Sequence, residues 1–413
     1  PMKKLKVYFS LSWNNIFRNK LFSLFCVVVS ALTCIFMYVI LQIFSVIRND
    51  TPPFSNSDRV ISFLDEFYDT DGRFLDGVPA PYIKTFLQGL RNYEKISISN
   101  TEFTSVFVGG KVIPTEVAFV DNGYFTVNDF DFTEGRPFTQ QETWDVAKLA
   151  VISEKMARRC FNKSSVIGEK LEVQGNVYTI VGMVRDYSIF STVKEVVNIW
   201  LPYSTNKFMP SGETVYNIDI LFPEGVSKKE FKQDYVFAMQ TFFKNRGFEL
   251  DLSVDQVKTL KEIRMERYGN NGLYVGVGMI ILLLVLIPAI NIITLSESST
   301  QNRIMELAVR RATGATKRSI FYLIMTENFI LVGLGFVIGI LSAYPMISWI
   351  ESVFFRSLAD GTSTTLLTGS ISIYSILIMI PLCVVFSFIS GGIPAYMIAR
   401  KNISVMLKGG SND

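Results

Sequence analysis

The apolar residues of this chain are concentrated in four long blocks that contain almost no charged side chains. The blocks cover residues 21–47, 273–295, 320–350 and 371–398. Each exceeds the roughly 18 apolar residues that a helix needs to cross the hydrocarbon core of a bilayer. The pattern therefore predicts four transmembrane helices, and a hydrophobic content of 49% agrees with a membrane protein.

The segment between the first two blocks, residues 48–272, has a different pattern. Short alternating runs predict one hairpin over Val106–Val120 and another over Leu171–Val184, each crossing a glycine-containing turn. A strand over residues 149–152 runs into a helix, 153–161, that begins at Ser153. This alternation predicts a large α+β extracytoplasmic domain, in one lobe or two, inserted between helices 1 and 2.

Two helices are predicted near the end of this domain. The first covers residues 227–245, with Ser227 as its N-cap and Glu230 at the capping-box position. The second covers residues 254–268, just before the second apolar block. The first block has a length of about 40 Å as a helix, against a hydrocarbon core of about 30 Å. It therefore either tilts in the membrane or extends outward, with the second block, as a stalk.

Lysine and arginine residues are placed asymmetrically around the blocks. Residues 1–20 carry five of them and no acid, residues 296–319 carry five against two acids, and residues 351–370 carry one. By the positive-inside rule, 1–20, 296–319 and the tail 399–413 are cytoplasmic, while 48–272 and 351–370 are outside. The net charge of +3 comes from these flanking segments and gives no support for nucleic-acid binding.

Residues 1–20 are also predicted to form an amphipathic helix on the inner membrane surface. Six apolar residues can share one face of it, opposite the basic ones: Leu5, Tyr8, Phe9, Trp13, Ile16 and Phe17. This helix is either a simple topological anchor or a regulatory element.

The sequence offers no set of residues for catalysis. It contains no histidine, which removes the usual general base and metal ligand. It also lacks the Gly-x-x-x-x-Gly-Lys-Ser/Thr phosphate loop, the zinc-binding His-Glu-x-x-His motif and the Gly-x-Ser-x-Gly elbow. Cys160 is alone in the 48–272 segment, so no disulfide is expected within it. We expect no catalytic residues, no metal site and no cofactor in this chain.

Two acidic features leave alternatives open. A loose cluster either binds a cation or belongs to a solvated loop, and it lacks the glycine and terminal glutamate of a calcium loop; its members are Asp65, Glu66, Asp69 and Asp71. Glu327 lies inside the third block, where a carboxylate either has a function or pairs with a basic group or a helix end near the interface.

Small residues in the third block predict close helix packing at Gly333, Gly335 and Gly339. Kinks are expected at three prolines of the second and fourth blocks, Pro288, Pro381 and Pro394.

Residues 301–339 carry the clearest functional signal. A basic amphipathic helix, 302–311, is followed by a turn at Gly314 and then directly by the third block. A charged helix held at the membrane surface suits the docking of a cytoplasmic partner. Leu307 and Val309 are expected to be available for packing, and the alternative is that the arginines only set topology. The predicted coupling residues are Arg303, Glu306, Arg310, Arg311, Gly314 and Ala315.

Three stretches resemble the MacB/FtsX-like permeases of ABC transporters, also called the type VII or mechanotransmission family. Arg303–Ile320 is similar to the family's coupling segment, R-x-x-E-h-x-h-R-R-A-x-G-A. Val120–Glu142 is similar to its Y-F and G-R-x-F segment, and Val166–Asp186 to its I-G and V-G-h-h-x-D segment. The arrangement of one helix, a large domain and three further helices also resembles this family.

The resemblance implies a non-catalytic permease subunit in the bacterial inner membrane, forming a homodimer or a heterodimer with a second permease chain. It implies a cytoplasmic ABC ATPase that binds ATP, and a separate polypeptide is expected because no amino-terminal ATPase precedes the first block. ATP-driven closure then moves the stalk and the outer domain, which handles a substrate for export. A periplasmic adaptor, an outer-membrane channel and contacts with membrane lipids are left open.

Other functions share parts of this pattern. A lipoprotein-releasing permease has the same layout, and an ATPase-independent membrane sensor or receptor needs only the membrane helices and the outer domain. A membrane-bound hydrolase is disfavoured by the missing catalytic motifs, and the size of the outer domain disfavours an FtsX-type division regulator. The sequence does not specify the substrate.

The topology leads to a first prediction. A single cysteine placed at Ser298, in a variant without other cysteines, is expected to resist a membrane-impermeant thiol reagent added from outside, because the Lys/Arg asymmetry places this loop in the cytoplasm. Labelling in intact and permeabilised cells measures it. Modification in intact cells is the result that contradicts the topology.

Overall fold

The computed structural model describes residues 10–13, 15–62, 67–68, 70–72, 74–75, 82–206, 217–269, 271–301, 304–350 and 373–400. The helices, in chain order, are α1 Lys20–Arg48, α2 Ile83–Gly89, α3 Tyr124–Val127, α4 Gln140–Trp144, α5 Glu154–Phe161, α6 Lys228–Lys244, α7 Leu260–Tyr268, α8 Asn271–Gln301, α9 Ile304–Ala312, α10 Lys317–Ile350 and α11 Ile373–Arg400. The strands are β1 Val60–Ser62, β2 Phe67–Tyr68, β3 Phe74–Leu75, β4 Lys95–Val108, β5 Lys111–Val120, β6 Phe132–Gly135, β7 Leu149–Ser153, β8 Lys170–Val173, β9 Asn176–Val184, β10 Ile199–Pro202 and β11 Asn217–Leu221. Residues 10–13 and 15–18, before α1, are also helical.

Four helices dominate the membrane part of the chain. Among the described residues, α1, α8, α10 and α11 are long and apolar enough to cross a membrane. The described strands all lie between α1 and α8, in a segment called here the inserted domain (residues 49–269). The predicted fold class, four membrane helices with a large α+β domain between the first and the second, is therefore confirmed.

The helices differ from the apolar blocks mainly at their ends. α8 continues six residues beyond the predicted end at Leu295, to Gln301, and α10 begins at Lys317. The apolar pattern marks the part of a helix that suits lipid, and polar residues that tolerate helical geometry extend it beyond that part.

The sheet of the inserted domain partly closes on itself. The nine described strands follow the order β1-β11-β4-β5-β10-β7-β9-β6, with β8 paired to both β4 and β9. The six strands β4-β5-β10-β7-β9-β8 therefore form a closed ring. The β10–β5 and β7–β9 pairs are parallel, and the remaining pairs are antiparallel. Both predicted hairpins are confirmed, β4–β5 across Gly109-Gly110 and β8–β9 across Gln174-Gly175.

Alternate residues of the ring strands pack into two apolar clusters. Side chains on one face of these strands pack against α5 and form a core that includes Phe119, Ile152, Ile180 and Leu201. The opposite series, which includes Trp200, packs against an aromatic group with Phe54, Tyr124, Phe125, Phe130 and Phe138. A third cluster joins β1 and β11 to α2 and α6. The described residues from 46 to 269 nevertheless belong to one compact unit, which favours the one-lobe alternative.

Helix starts in the inserted domain were predicted with mixed success. Ser153 caps α5 as predicted, because its Oγ accepts from the Met156 backbone N–H at 3.2 Å. Ser227 is the N-cap residue of α6 as predicted, but the predicted capping box is wrong, because the Ser227 side chain makes no capping hydrogen bond. The start of α6 is instead held by Lys228, whose Nζ lies 2.7 Å from Asp58 Oδ1.

The predicted helix 254–268 is too long by six residues. It begins at Leu260, because Thr259 and Glu262 form a capping box that the sequence analysis missed. The Thr259 N–H donates to Glu262 Oε2 at 2.8 Å, and Thr259 Oγ1 accepts from the Glu262 N–H at 3.3 Å. Residues 253–256 form a turn before this cap, with the Ser253 N–H donating to the Gln256 side chain at 2.6 Å.

Small residues bring α10 close to α1 in the membrane unit. A Cβ built at Gly335 would lie 2.5 Å from Ser30 Cβ and 2.7 Å from Val27 O. A Cβ at Gly339 would lie 2.7 Å from both Ala31 O and Cys34 Cβ. These two positions, four residues apart, share one helix face.

Gly333 requires a correction. Apart from its chain neighbours and the backbone of its own helix, no atom lies within 4 Å of the place where its Cβ would be, so it is not a packing position between helices of this chain. It stands two residues before Gly335, which puts it on another face of the helix. A close contact that the glycine pattern did not indicate lies between α10 and α11, where Gly391 meets the Asn328 side chain and Asn328 Nδ2 donates to Ser387 O at 3.1 Å.

All three predicted kink sites, Pro288, Pro381 and Pro394, lie inside continuous helices, and Pro345 lies inside α10 as well.

The two glycines offer a matched test of helix packing. Gly335→Ala is expected to lower the free energy of unfolding by about 1–3 kcal/mol, because the new methyl group overlaps α1. Gly333→Ala is expected to be neutral or to stabilise by up to about 1 kcal/mol, because alanine has the higher helix propensity. Thermal melting of the two purified variants in detergent checks this. Equal melting temperatures would show that α10 does not approach α1 at Gly335.

Candidate functional site

The segment between α8 and α10 forms the short helix α9, which is followed by a sharp turn as predicted. α9 ends in a Schellman motif: the Gly314 N–H donates to Arg311 O at 3.2 Å and the Ala315 N–H donates to Arg310 O at 2.9 Å. Gly314 has a φ of +103°, a conformation that side chains with a Cβ resist. The turn fixes where the basic end of α9 stops. Arg303, another predicted coupling residue, lies outside the described residues.

The apolar face of α9 is used within the chain. Leu307 and Ala308 are buried against Ile320, Leu323 and other residues of α10 and α11. The prediction that Leu307 is available for packing on a partner is therefore wrong, because its side chain already fills this cluster. Met305 and Val309 are exposed, at 51% and 52%, and form the apolar part of the outward side.

Glu306 is paired on both sides. Its carboxylate forms an ion pair with Arg18 from the helical segment before α1, and its Oε1 lies 3.1 Å from Arg310 Nη2 one turn along α9. Both arginines are partly exposed, so each pair is weak as a source of stability. Of the predicted coupling residues, the structure brings Glu306 and Arg310 into contact, and it adds Arg18, which the sequence analysis did not select.

The Val120–Glu142 stretch builds a turn. Asp121 Oδ1 accepts from the Ile98 N–H at 3.0 Å and from the Tyr124 N–H at 3.1 Å. Burial raises the pKa of Asp121 to about 7, although these backbone hydrogen bonds oppose the shift. A Cβ at Gly123 would lie 2.1 Å from Ile96 O. These residues let the chain turn tightly after β5.

Two glycines from different stretches face each other across the β6–β9 pair. A Cβ at Gly135 would lie 2.2 Å from Val181 O, and one at Gly182 would lie 2.4 Å from Arg136 O. Arg136 then holds Glu142 through two hydrogen bonds of 2.8 and 2.6 Å. Glycine is needed at both positions because the two backbones touch.

Asp186, at the end of the third stretch, caps the first turn of α5. Its Oδ1 accepts from the Lys155 N–H at 3.0 Å, and its Oδ2 accepts from Arg158 Nη2 at 3.1 Å. A carboxylate is favoured at a helix N-terminus by the helix dipole. The stretches of the inserted domain that carry the family resemblance thus fold the domain, and their described contacts suggest no chemistry.

The strongest polar centre of the inserted domain is Arg264 of α7, which is 1% exposed. Its guanidinium donates to Ile47 O and Ser191 O, both at 3.0 Å, to Asp50 Oδ1 at 2.6 Å and to Ser57 Oγ at 3.2 Å. Ile47 lies in the last turn of α1, and α7 ends just before α8. One side chain therefore joins the segment that leaves α1 to the segment that enters α8.

Asp50 is the acid of this centre. Ser57 Oγ donates to its Oδ1 at 2.5 Å and Lys261 Nζ to its Oδ2 at 2.9 Å. Burial alone raises the pKa of Asp50, but the hydrogen bonds from Ser57, Lys261 and Arg264 outweigh it and hold the pKa below its usual value. A lowered pKa means that this carboxylate stabilises the fold above its unfolded pKa, and the contribution is lost as pH falls through the folded pKa.

A second buried ion pair lies beside Arg264. Lys194 Nζ is 2.6 and 2.7 Å from the two carboxylate oxygens of Asp219, which is 1% exposed. Between this pair and Arg264 is a cavity of about 10 Å³, room for about one water molecule. The space is too small for a substrate, so the centre is a structural junction. We call it the junction (Asp50, Ser57, Lys194, Asp219, Lys261 and Arg264).

The other features considered from the sequence are a metal site, the acidic cluster, Glu327 and Cys160. Among the described residues, no three His, Cys, Asp or Glu side chains are grouped so that they could hold a metal ion. Asp65, Glu66 and Asp69 of the acidic cluster lie outside the described residues, and Asp71 is exposed. Glu327 is buried in the membrane unit, at 7% exposure. Burial raises the pKa of the Cys160 thiol to about 11, so it is protonated near neutral pH.

Comparison with known families agrees with this architecture. Residues 21–235 match the MacB-like periplasmic core domain, and residues 278–403 match the FtsX-like permease C-terminal family. The first match alone covers more than half of the 413 residues. Four apolar helices with an α+β domain after the first define a multi-pass membrane protein of the permease class. The chain belongs to the MacB/FtsX-like permeases of ABC transporters.

Individual relatives are distant. The chain is 22% identical over 293 residues to the uncharacterized ABC transporter permease YknZ of Bacillus subtilis (strain 168), covering 69% of this chain and 72% of YknZ. It is 23% identical over 224 residues to the macrolide export ATP-binding/permease protein MacB of Escherichia coli (strain K12), covering 54% of this chain and 34% of MacB. The chain thus spans about a third of the length of that MacB.

Solved structures of similar proteins include the periplasmic region of MacB from Actinobacillus actinomycetemcomitans, at a TM-score of 0.38 and 14% identity, covering 48% of this chain and 90% of that one. The extracellular domain of the noncanonic ABC-type transporter YknZ from Gram-positive bacteria has a TM-score of 0.36 and 17% identity, covering 46% of this chain and 96% of that one.

The junction can be tested against a neighbour on the same helix. Arg264→Gln is expected to destabilise the protein by about 3–5 kcal/mol, because it removes one of the two cations paired with the partly buried Asp50 and several buried hydrogen bonds of the guanidinium. Arg267 is exposed and donates to Val193 O at 2.6 Å, so Arg267→Gln should cost about 1 kcal/mol. Thermal melting of the full chain in detergent measures both, and similar losses in the two variants would contradict a special role for Arg264.

Proposed function

We propose that this chain is the permease subunit of an ABC transporter that transmits an ATP-driven conformational change from a separate cytoplasmic ATPase to the inserted domain. The inserted domain then handles a substrate for export on the outer side of the inner membrane. The chain is a non-catalytic subunit in this proposal, and ATP binding and hydrolysis belong to the ATPase.

The observation that carries the proposal is the geometry of α9. One face of the helix is anchored by the buried side chains of Leu307 and Ala308, and the Gly314 turn joins the helix directly to α10. Its outward side carries exposed apolar atoms of Met305 and Val309 next to Arg310. A short helix that is fixed in position, with an exposed apolar and basic side, suits a contact through which force passes into a membrane helix.

Charge favours an acidic partner surface. In the sequence from 304 to 319, Glu306 is the single acid against Arg310, Arg311, Lys317 and Arg318. Because Glu306 is already paired with arginines of this chain, the surface keeps a positive charge. Complementary charge across an interface determines partner choice and association rate more than affinity.

ATP chemistry is assigned to the partner because the 413 residues contain no phosphate loop of the Gly-x-x-x-x-Gly-Lys-Ser/Thr type and no histidine. We also propose that the permease acts as a dimer, either with itself or with a second permease chain, as expected for this family. An adaptor or an outer-membrane channel on the outer side remains compatible with this arrangement.

Charge reversal in α9 tests the proposal. In the Arg310→Glu/Arg311→Glu variant, co-purification with the ATPase is expected to fall by about 30-fold to several thousandfold, since losing charge pairs at a partly desolvated interface costs about 2–5 kcal/mol. The measurement is the amount of Walker A-containing protein, and of ATP hydrolysis, recovered with tagged full-length permease at equal expression.

A matched control is Lys317→Glu/Arg318→Glu, which changes the charge of the same loop equally but beyond the Gly314 turn. It should reduce ATPase recovery much less. Cysteine accessibility at Ser298 verifies that topology is unchanged in both variants. Normal ATPase recovery and activity in the Arg310→Glu/Arg311→Glu variant would mean that these arginines set topology only, and the docking function would have to be abandoned.

A further inference from the structure

The helical segment before α1 lies against the proposed docking helix. We call residues 10–13 and 15–18 the surface helix. Leu11 packs on the cluster that buries Leu307 of α9, and Ser12 Oγ donates to Leu323 O of α10 at 3.4 Å. The surface helix therefore touches the elements on both sides of the Gly314 turn.

The surface helix has an inner and an outer side. Ser12, Asn15 and Ile16 are buried, whereas Trp13 and Phe17 are exposed and their rings meet edge to face at 5.4 Å. The predicted shared apolar face is therefore wrong in part, because Ile16 points inward and the two aromatic residues point outward. Exposed aromatic pairs of this kind suit the membrane–water interface.

The end of the surface helix is tied to the start of α1. Ser23 Oγ donates to Ile16 O at 2.9 Å, and the Asn19 N–H donates to Asn15 O at 3.2 Å. Arg18 therefore projects from a segment that is held at both ends, by Leu11 on the cluster and by the connection to α1. Its partner Glu306 is in turn bound to Arg310.

From these contacts we propose that the surface helix is a structural part of the ATPase docking site: through the Arg18–Glu306–Arg310 chain it holds α9 in the orientation that the ATPase binds. Glu306 is then a positioning residue, which acts through Arg310 instead of touching the ATPase. This inference rests on the proposed docking function. It gives a positioning role to Arg18, which lies outside the predicted coupling segment.

Charge decides between the ATPase and lipid as the occupant of the composite surface. Residues 10–20 contain no acid, and Glu306 is the single acid of residues 304–319. A purely lipid-binding surface needs no fixed acid between two arginines, because anionic headgroups would pair with both. The Arg–Glu–Arg arrangement instead fixes the spacing of the two basic side chains, as recognition of a protein surface with its own fixed charges requires.

A double-mutant cycle on the full-length permease in nanodiscs tests this role. Arg18→Ala is expected to weaken binding of the purified ATPase by about 2–5-fold, the loss of one partly exposed ion pair. Arg18→Lys keeps the pair and should bind nearly as well as the unchanged protein. In a Glu306→Ala background, Arg18→Ala should have no further effect, because the two residues act as one unit.

Lys20→Ala is the matched control, since Lys20 is an exposed basic residue two positions away. It should leave ATPase binding unchanged. The cycle is measured in nanodiscs of phosphatidylcholine with and without phosphatidylglycerol. If Arg18→Ala matters only with phosphatidylglycerol and Lys20→Ala matters equally, anionic headgroups account for the effect and the proposal is overturned.

Two further results separate this inference from the function on which it rests. Additive losses in Arg18→Ala and Glu306→Ala, or no loss in either, would overturn the positioning role while the Arg310→Glu/Arg311→Glu variant still fails to bind. Unchanged binding in the Arg310→Glu/Arg311→Glu variant would overturn the docking function itself.

Discussion

The buried guanidinium of Arg264 is the interaction on which the inserted domain most depends. It satisfies two backbone carbonyls, one carboxylate and one hydroxyl from three separate chain segments. A buried charge is tolerated only when it is paired and hydrogen-bonded, so these segments cannot separate without exposing or orphaning it. Asp50 follows the end of α1, and Arg264 precedes α8. One side chain therefore joins the segment by which the chain enters the domain to the segment by which it leaves.

The ion pairs on α9 differ from the junction because they are partly exposed to solvent. Arg18, Glu306 and Arg310 are partly exposed, so their ion pairs contribute little to stability. Burial of Leu307 and Ala308 supplies the attachment, which leaves the charges available for orientation and recognition. The chain thus has a buried polar network at the junction and a partly exposed one on α9, where we propose that the ATPase binds.

Patterns that depend on local sequence predicted most of the architecture. The four apolar blocks, both hairpins and the Ser153 cap depend on neighbouring residues, and the fold class followed from them. The junction could not be predicted, because Asp50, Ser191 and Arg264 are far apart in sequence and Arg264 stands among other charged residues in a short polar helix. Gly333 and Gly335 look alike in sequence, and only the position of α1 separates them. For α9, the sequence predicts the basic helix and its Gly314 turn. It does not predict that Leu307 is buried, because that burial depends on the tertiary packing of α10 and α11 against α9.

The closed ring has a consequence for the behaviour of the inserted domain at high concentration. A strand at the edge of a sheet can recruit a strand from another molecule, and closure removes that opportunity. In the nine-stranded sheet, the described strands outside the ring are β1, β11 and β6, and β2 and β3 form a separate two-stranded sheet. β11 is covered on both sides by β1 and β4, the outer side of β1 bridges to Thr259, and β6 is only four residues long. At high concentration the nine-stranded sheet of the inserted domain therefore offers neighbouring molecules little free edge to extend.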